Sequence, residues 1–220
     1  MTDIMPVGSG KQYFTYKQGV FYKKSDDSSE VGYATREFEK RDGTKEKVSG
    51  VFASGIGGII TGAYIREIET DNGDKFKTLN VELDGDTVLS FGLNSEPAEV
   101  VMRTLTNVDV ESKTVFIPYQ KDGWNKLSVK QNNEHVEDSF VKYDAETNTF
   151  SHVNGYPERA DKDASDAQKK IVRIQQGEFL EEHFNKNIAT KFKSVEAPND
   201  GDVSAVDYPV EDINPEDIPF

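Results

Sequence analysis

At 220 residues the chain is long enough for one folded body with an appendage, and its 13 Phe, 9 Tyr and 1 Trp exceed what a disordered chain carries. The lack of cysteine excludes disulfides, thiolate metal sites and a thiol nucleophile. A net charge of −14 weighs against a polyanionic partner until its distribution is read: eight acids and no Lys or Arg follow Lys193, which leaves −6 for residues 1–193.

In chain order, Met1 to Gly10 has neither the basic nor the apolar region of a signal peptide, and no apolar run approaches the roughly 20 residues that span a bilayer, so a cytoplasmic setting is expected. Residues 11–24 interleave Tyr13, Phe14, Tyr16, Phe21 and Tyr22 with Lys11, Lys17, Lys23 and Lys24, which is strand composition with a local charge of +3 over residues 1–24. Val31 to Phe52 reads as a hairpin turning at Asp42-Gly43. Ile59–Glu69, Lys75–Leu83 and Val88–Leu93 then form a three-stranded meander, turning at Asn72-Gly73 and Asp84-Gly85. In its second strand Leu79, Val81 and Leu83 alternate with Thr78, Asn80 and Glu82, so one face is expected to be buried and the other solvated.

A short helix follows from Glu96 to about Thr106, with Ser95 as N-cap and Pro97 in the first turn, where a missing N–H costs nothing. Strands at Lys113–Gln120 and Lys126–Gln131 flank a turn at residues 121–125. Three strands, a helix and two strands is the order of a five-stranded OB barrel, and the glycines between Gly55 and Gly62 suit the sharp bend of its first strand. Farther on, Ser165 and Gln168 make a capping box, and Ile171, Ile174, Leu180, Phe184, Ile188 and Phe192 recur near helical spacing, with Gly177 a point of bending. Ser194–Phe220 has three prolines, eight acids and no periodicity, and is expected to be disordered. The expected organisation is therefore mainly β: an OB domain with extra amino-terminal strands over residues 1–160, a C-terminal helix over 161–193 and an acidic tail over 194–220.

The chain ends Glu216-Asp217-Ile218-Pro219-Phe220 behind further acids. In these residues it resembles bacterial and phage single-stranded DNA-binding proteins, whose chains end in an acidic run followed by Asp-Ile-Pro-Phe or a close variant. The resemblance implies recruitment of replication, recombination and repair proteins through Glu216, Asp217, Ile218, Pro219 and Phe220. It does not extend visibly into the body, whose amino-terminal strands and late helix depart from bacterial homologues; a bacteriophage or other mobile-element version is expected, acting in the host cytoplasm. An aromatic ring at the tip of a tether suits an apolar pocket, Pro219 limits the entropy lost on docking, and the acids attract a basic rim.

On an OB barrel a single strand runs across strands two and three and between the loops at residues 70–74 and 121–125. The second loop holds Trp124 beside Lys121 and Lys126, with Tyr119 and Lys130 close by, and residues 113–130 carry +3. Stacking on aromatics tolerates any base sequence while Lys follows the phosphates. Further candidates are Phe76 with Lys75 and Lys77, Tyr64 and Arg66, and Tyr16, Lys17, Phe21 and Lys23, although aromatics of the first strands are individually more often core.

No cofactor, metal or enzymatic activity is expected. The glycine-rich stretch lacks a P-loop ending, the three histidines lack metal-ligand spacing, and Glu82, Asp84 and Asp86 have no acid–base partner. The alternative to a DNA-coating protein is an acidic mimic that uses the copied ending to occupy partner pockets without binding DNA. Oligomeric state is left open.

Overall fold

A computed structural model describes residues 10–40, 43–69 and 73–192. Strands β1 (Gln12–Lys17) and β2 (Val20–Lys24) form a hairpin, and β3 (Tyr33–Glu39) and β4 (Lys45–Ala53) a second. The chain continues through β5 (Ile56–Gly58), β6 (Ile60–Glu69), β7 (Lys75–Leu83) and β8 (Thr87–Gly92) into α1 (Glu96–Thr104). Then come β9 (Thr114–Lys121), β10 (Trp124–Gln131) and the short β11 (Glu134–His135). A hairpin of β12 (Val141–Asp144) and β13 (Thr149–His152), which the residue pattern did not announce, precedes α2 (Asp166–His183). The expected order of three strands, helix and two strands is present in β6–β8, α1 and β9–β10.

The strands make a seven-stranded sheet, ordered β3-β4-β2-β1-β8-β7-β6, and a four-stranded sheet, ordered β11-β10-β9-β5. The glycine-rich segment joins them: β5 pairs with β9, and one residue later β6 pairs with β7 through a bulge between Ile60 and Gly62. A Cβ on Gly58 would lie 2.3 Å from Asp84 Oδ2, and one on Gly57 2.9 Å from Val115 Cγ2. Asp84 Oδ1 accepts from the Ile59 amide at 2.9 Å, so the close approach is also what pins the corner.

The ladders do not close into a barrel. A sheet closes only if its two outer edges find each other, and the outer edge of β8 is taken by β1, parallel, with Gln12 to Thr15 opposite Thr87 to Ser90. The amino-terminal hairpins thus widen the sheet from three strands to seven. The two sheets still touch at the β1–β2 turn, where a Cβ on Gly19 would come within 3.0 Å of the Gln120 side chain. The Tyr16 hydroxyl lies 3.1 Å from the Tyr119 carbonyl and 3.0 Å from that of Lys126, both acceptors for its proton.

The inner face of the large sheet carries Phe14, Phe21, Val51, Ala63, Leu79, Val81, Leu83, Leu89 and Phe91 into one core with Phe116, Val129 and the buried sides of both helices. The opposite face of β7 departs from expectation: Thr78, Asn80 and Glu82 are buried, as are Val88 and Ser90 beside them on β8, although both helices pack on the other side. Lys11 Nζ stands 2.9 Å from Glu82 Oε2, an ion pair without hydrogen-bond geometry. Glu82 is therefore buried rather than on the solvated face expected.

Both helix starts are capped as expected, Ser95 accepting from the Ala98 amide and Ser165 forming the full capping box with Gln168. α2 runs unbroken through Gly177 and continues as a π turn at Phe184–Ile188. Its apolar stripe divides: Leu180, Phe184, Ile188 and Phe192 are buried, while Ile171 and Ile174 are more than half exposed because the first turns of the helix extend past the core. No described helix is long and apolar enough to cross a membrane.

Candidate functional site

Strand register sorts side chains by face, because residues directly opposite across a ladder share a side. One row on the outer face of the large sheet runs Phe52, Tyr22, Thr15, Ser90, Asn80, Tyr64 across six strands. Small polar residues lie in its middle and rings at both ends. The same parity places Tyr13, Phe38 and Phe76 on this face, so six aromatic side chains share it. Its strand residues include four cations, Lys17, Lys24, Arg36 and Arg66, against two carboxylates, Glu46 and Glu82. On a chain with 40 acids and 26 bases this is a segregation of charge.

Tyr22, Phe38 and Phe52 form a small cluster of their own on that face, with ring centroids 5.2 Å (Tyr22–Phe52) and 5.9 Å (Phe38–Phe52) apart. Gly50 makes room for Tyr22, since a Cβ there would meet the ring at 2.7 Å and the Lys23 carbonyl at 2.4 Å. The Lys17 ammonium sits 5.1 Å from the Phe38 ring centroid and 3.3 Å from Glu46 Oε2. The Arg36 guanidinium lies 4.8 Å over Phe52, is exposed, and has no carboxylate partner among the described residues.

The β9–β10 hairpin supplies a second surface. Asp122 and Gly123 form a two-residue turn with φ of 54° and 79°, the mirror-image turn that matches strand twist. It sets Trp124 opposite Lys121 and Lys126 opposite Tyr119 on one face. The rings of Trp124 and Tyr119 are 40% and 42% exposed. Lys121 and Lys130 make no ion pair among the described residues, whereas Lys126 is paired with Glu96 in the first turn of α1. Burial of Tyr16 beneath this tip pushes its phenol up to about 12, so it stays a neutral donor to the hairpin backbone.

The structure thus brings together Trp124, Tyr119 and Lys121 at the tip, and Tyr64, Arg66 and Phe76 on the sheet face; Lys130 shares the tip's face but lies at the far end of the hairpin, opposite Val115. Other expected site residues are placed elsewhere. Phe21 is fully buried in the core, out of reach of any base, and Tyr16 packs edge-on against it at 6.3 Å. Lys75 and Lys77 alternate to the face opposite Phe76, where Lys75 pairs with Glu67 and Glu69 and Lys77 with Glu181. Lys17 is buried, and Lys23 pairs with Glu30 at 2.6 Å. Thr70, Asp71 and Asn72 of the expected loop, and the ending from Glu216 to Phe220, lie outside the described residues.

Sequence reasoning missed Arg36 and Phe52, 16 positions apart and joined only by the pairing of β3 with β4. It also missed the exposed ring pair Tyr143–Phe150 on the β12–β13 hairpin, with centroids 5.0 Å apart, which is flanked by Asp144 and Glu146 rather than by cations. Comparison of the chain with protein-family models, curated proteins and solved structures finds no significant match.

Proposed function

We propose that this protein coats single-stranded DNA without strong sequence preference, in replication, recombination and repair, and recruits partner proteins through Asp217-Ile218-Pro219-Phe220. The observation that carries the binding half is the outer sheet face, where the part-exposed rings of Tyr13, Tyr64 and Phe76 and a local excess of cations sit on a strongly acidic chain with neither helix packed over them. Rings stack on any base and cations follow any phosphate, so this chemistry favours a strand with its bases exposed over a closed duplex. The tip bearing Trp124 and Tyr119 adds a second stacking element, and the chain order of three strands, a helix and two strands supports an OB-like plan whose sheets stay open. The recruitment half rests on the resemblance of the Asp-Ile-Pro-Phe sequence to the ending of single-stranded DNA-binding proteins.

Fluorescence anisotropy with labelled oligo-dT and with duplex DNA, across a salt series, tests the binding half: tighter, salt-dependent binding of the single strand is expected. The charge of −6 on residues 1–193 favours a second reading, an acidic mimic that occupies partner pockets without holding DNA. The absence of any salt-dependent preference for oligo-dT would select that second reading. Removal of Phe220 is expected to abolish partner binding while oligo-dT binding stays intact or improves, and reduced oligo-dT binding after that removal argues against a division of labour between body and tail.

A further inference from the structure

We infer that the single-strand path does not stop at the three meander strands but continues over the amino-terminal hairpins to a phosphate contact at Arg36; this rests on the DNA-binding reading above. Three observations carry it. The row from Tyr64 to Phe52 is continuous in register across β6, β7, β8, β1, β2 and β4, so the amino-terminal strands extend the same face rather than forming a separate layer. Arg36, on the edge strand β3 beyond it, is stacked 4.8 Å over Phe52 and exposed. On the same face Lys17 is engaged with Glu46, whereas Arg36 has no carboxylate among the described residues.

The chemistry fits a phosphodiester. A guanidinium laid on a ring keeps its N–H edge open and loses little freedom when it grips an anion, so Phe52 pre-orients Arg36 for a phosphate oxygen. The ring is itself buried at 7% exposure, so this end offers charge rather than stacking. Seven strands spaced about 4.8 Å span about 29 Å, room for roughly eight stacked nucleotides at an axial rise of about 3.4 Å each. The three meander strands alone span about 10 Å.

The test is anisotropy with labelled oligo-dT of about 20 nucleotides on the full chain, comparing wild type with Arg36→Ala, Arg36→Gln and Arg36→Lys over a salt series. Losing one phosphate contact on a single strand lowers the slope of log K against log salt by about 0.7. We expect that change, with a several-fold loss of affinity, for Arg36→Ala and Arg36→Gln, and a slope close to wild type for Arg36→Lys. Thermal melts that match wild type separate a lost contact from a lost fold, and Arg36→Gln keeps a long polar chain on Phe52 if the alanine variant melts early. Wild-type slope and affinity in a folded Arg36→Gln protein overturn the extended path while leaving the DNA-binding reading standing. If wild type itself binds no oligo-dT, that reading falls and the path falls with it.

Discussion

The tip of the β9–β10 hairpin and the outer face of β3–β4 both set an aromatic ring beside a cation with no carboxylate partner, yet they offer opposite parts of that pair to a ligand. At the tip the rings of Trp124 and Tyr119 are about two-fifths exposed, and Lys121 stands at their edge. On β3–β4 the Phe52 ring is buried and only the Arg36 guanidinium faces out. A strand laid across both would meet stacking at one end and charge at the other. Stacking is largely indifferent to salt, whereas phosphate contacts release counterions, so the two regions are separable by a salt series.

The largest expected effect belongs to the scaffold both regions share. Phe21→Ala empties a fully buried ring site on the inner face and is expected to cost about 3–5 kcal/mol in a urea titration. Trp124→Ala leaves stability within about 0.5 kcal/mol, because half-exposed surface side chains contribute little. A Trp124→Ala protein as destabilised as Phe21→Ala would make the tip part of the core and end its role as a platform. Next in size, Trp124→Ala and Tyr119→Ala should each weaken oligo-dT binding by about 1–3 kcal/mol with an unchanged salt slope. Smaller again, the double change Lys121→Ala with Lys130→Ala should reduce the slope by about 1.4, at about 0.7 per phosphate contact, and move affinity mainly at low salt. A change of slope in Trp124→Ala, or an unchanged slope in the lysine pair, breaks the assignment of stacking and charge to those side chains.

How these regions are built also explains which of them the sequence disclosed. Lys121, Asp122-Gly123 and Trp124 are consecutive, and a two-residue turn with both central φ positive requires the residues found there, so the tip was legible. The same holds for the two serine caps and the meander turn at Asp84-Gly85. By contrast, the parallel pairing of β1 with β8 joins segments about 75 residues apart without a turn to announce it, and it decides whether the sheet closes or widens. The row from Phe52 to Tyr64 is continuous only through that pairing. Alternation on β7 was read correctly as two faces, but Thr78, Asn80 and Glu82 are buried, Glu82 beside Lys11, which lies just before β1 and far away in the chain. Likewise the helical spacing of Ile171 and Ile174 marks a face without saying how far the core reaches beneath it.

The smallest effect lies in the helix layer beneath both regions and follows from His183. Its Nε2 is 2.9 Å from Thr106 Oγ1, its Nδ1 is 3.0 Å from the Asn187 side-chain amide, and its ring meets Phe140 edge-on at 4.8 Å. The Asn187 amide can only donate to Nδ1, so the ring sits neutral with its Nε2–H donated to Thr106. Burial lowers its pKa below the usual 6.5. The unfolded chain therefore takes up a proton at a pH where the folded one does not, and stability rises with pH across that interval. The contribution is complete above about 6.5 and is lost as pH falls below it. The urea midpoint should thus fall modestly between pH 7 and pH 5.5, and His183→Gln, which keeps a donor toward Thr106, should flatten that fall. An equal fall in both proteins would place the titrating group elsewhere, and a fall accompanied by a changed oligo-dT salt slope at constant pH would tie the helix layer to the binding face after all.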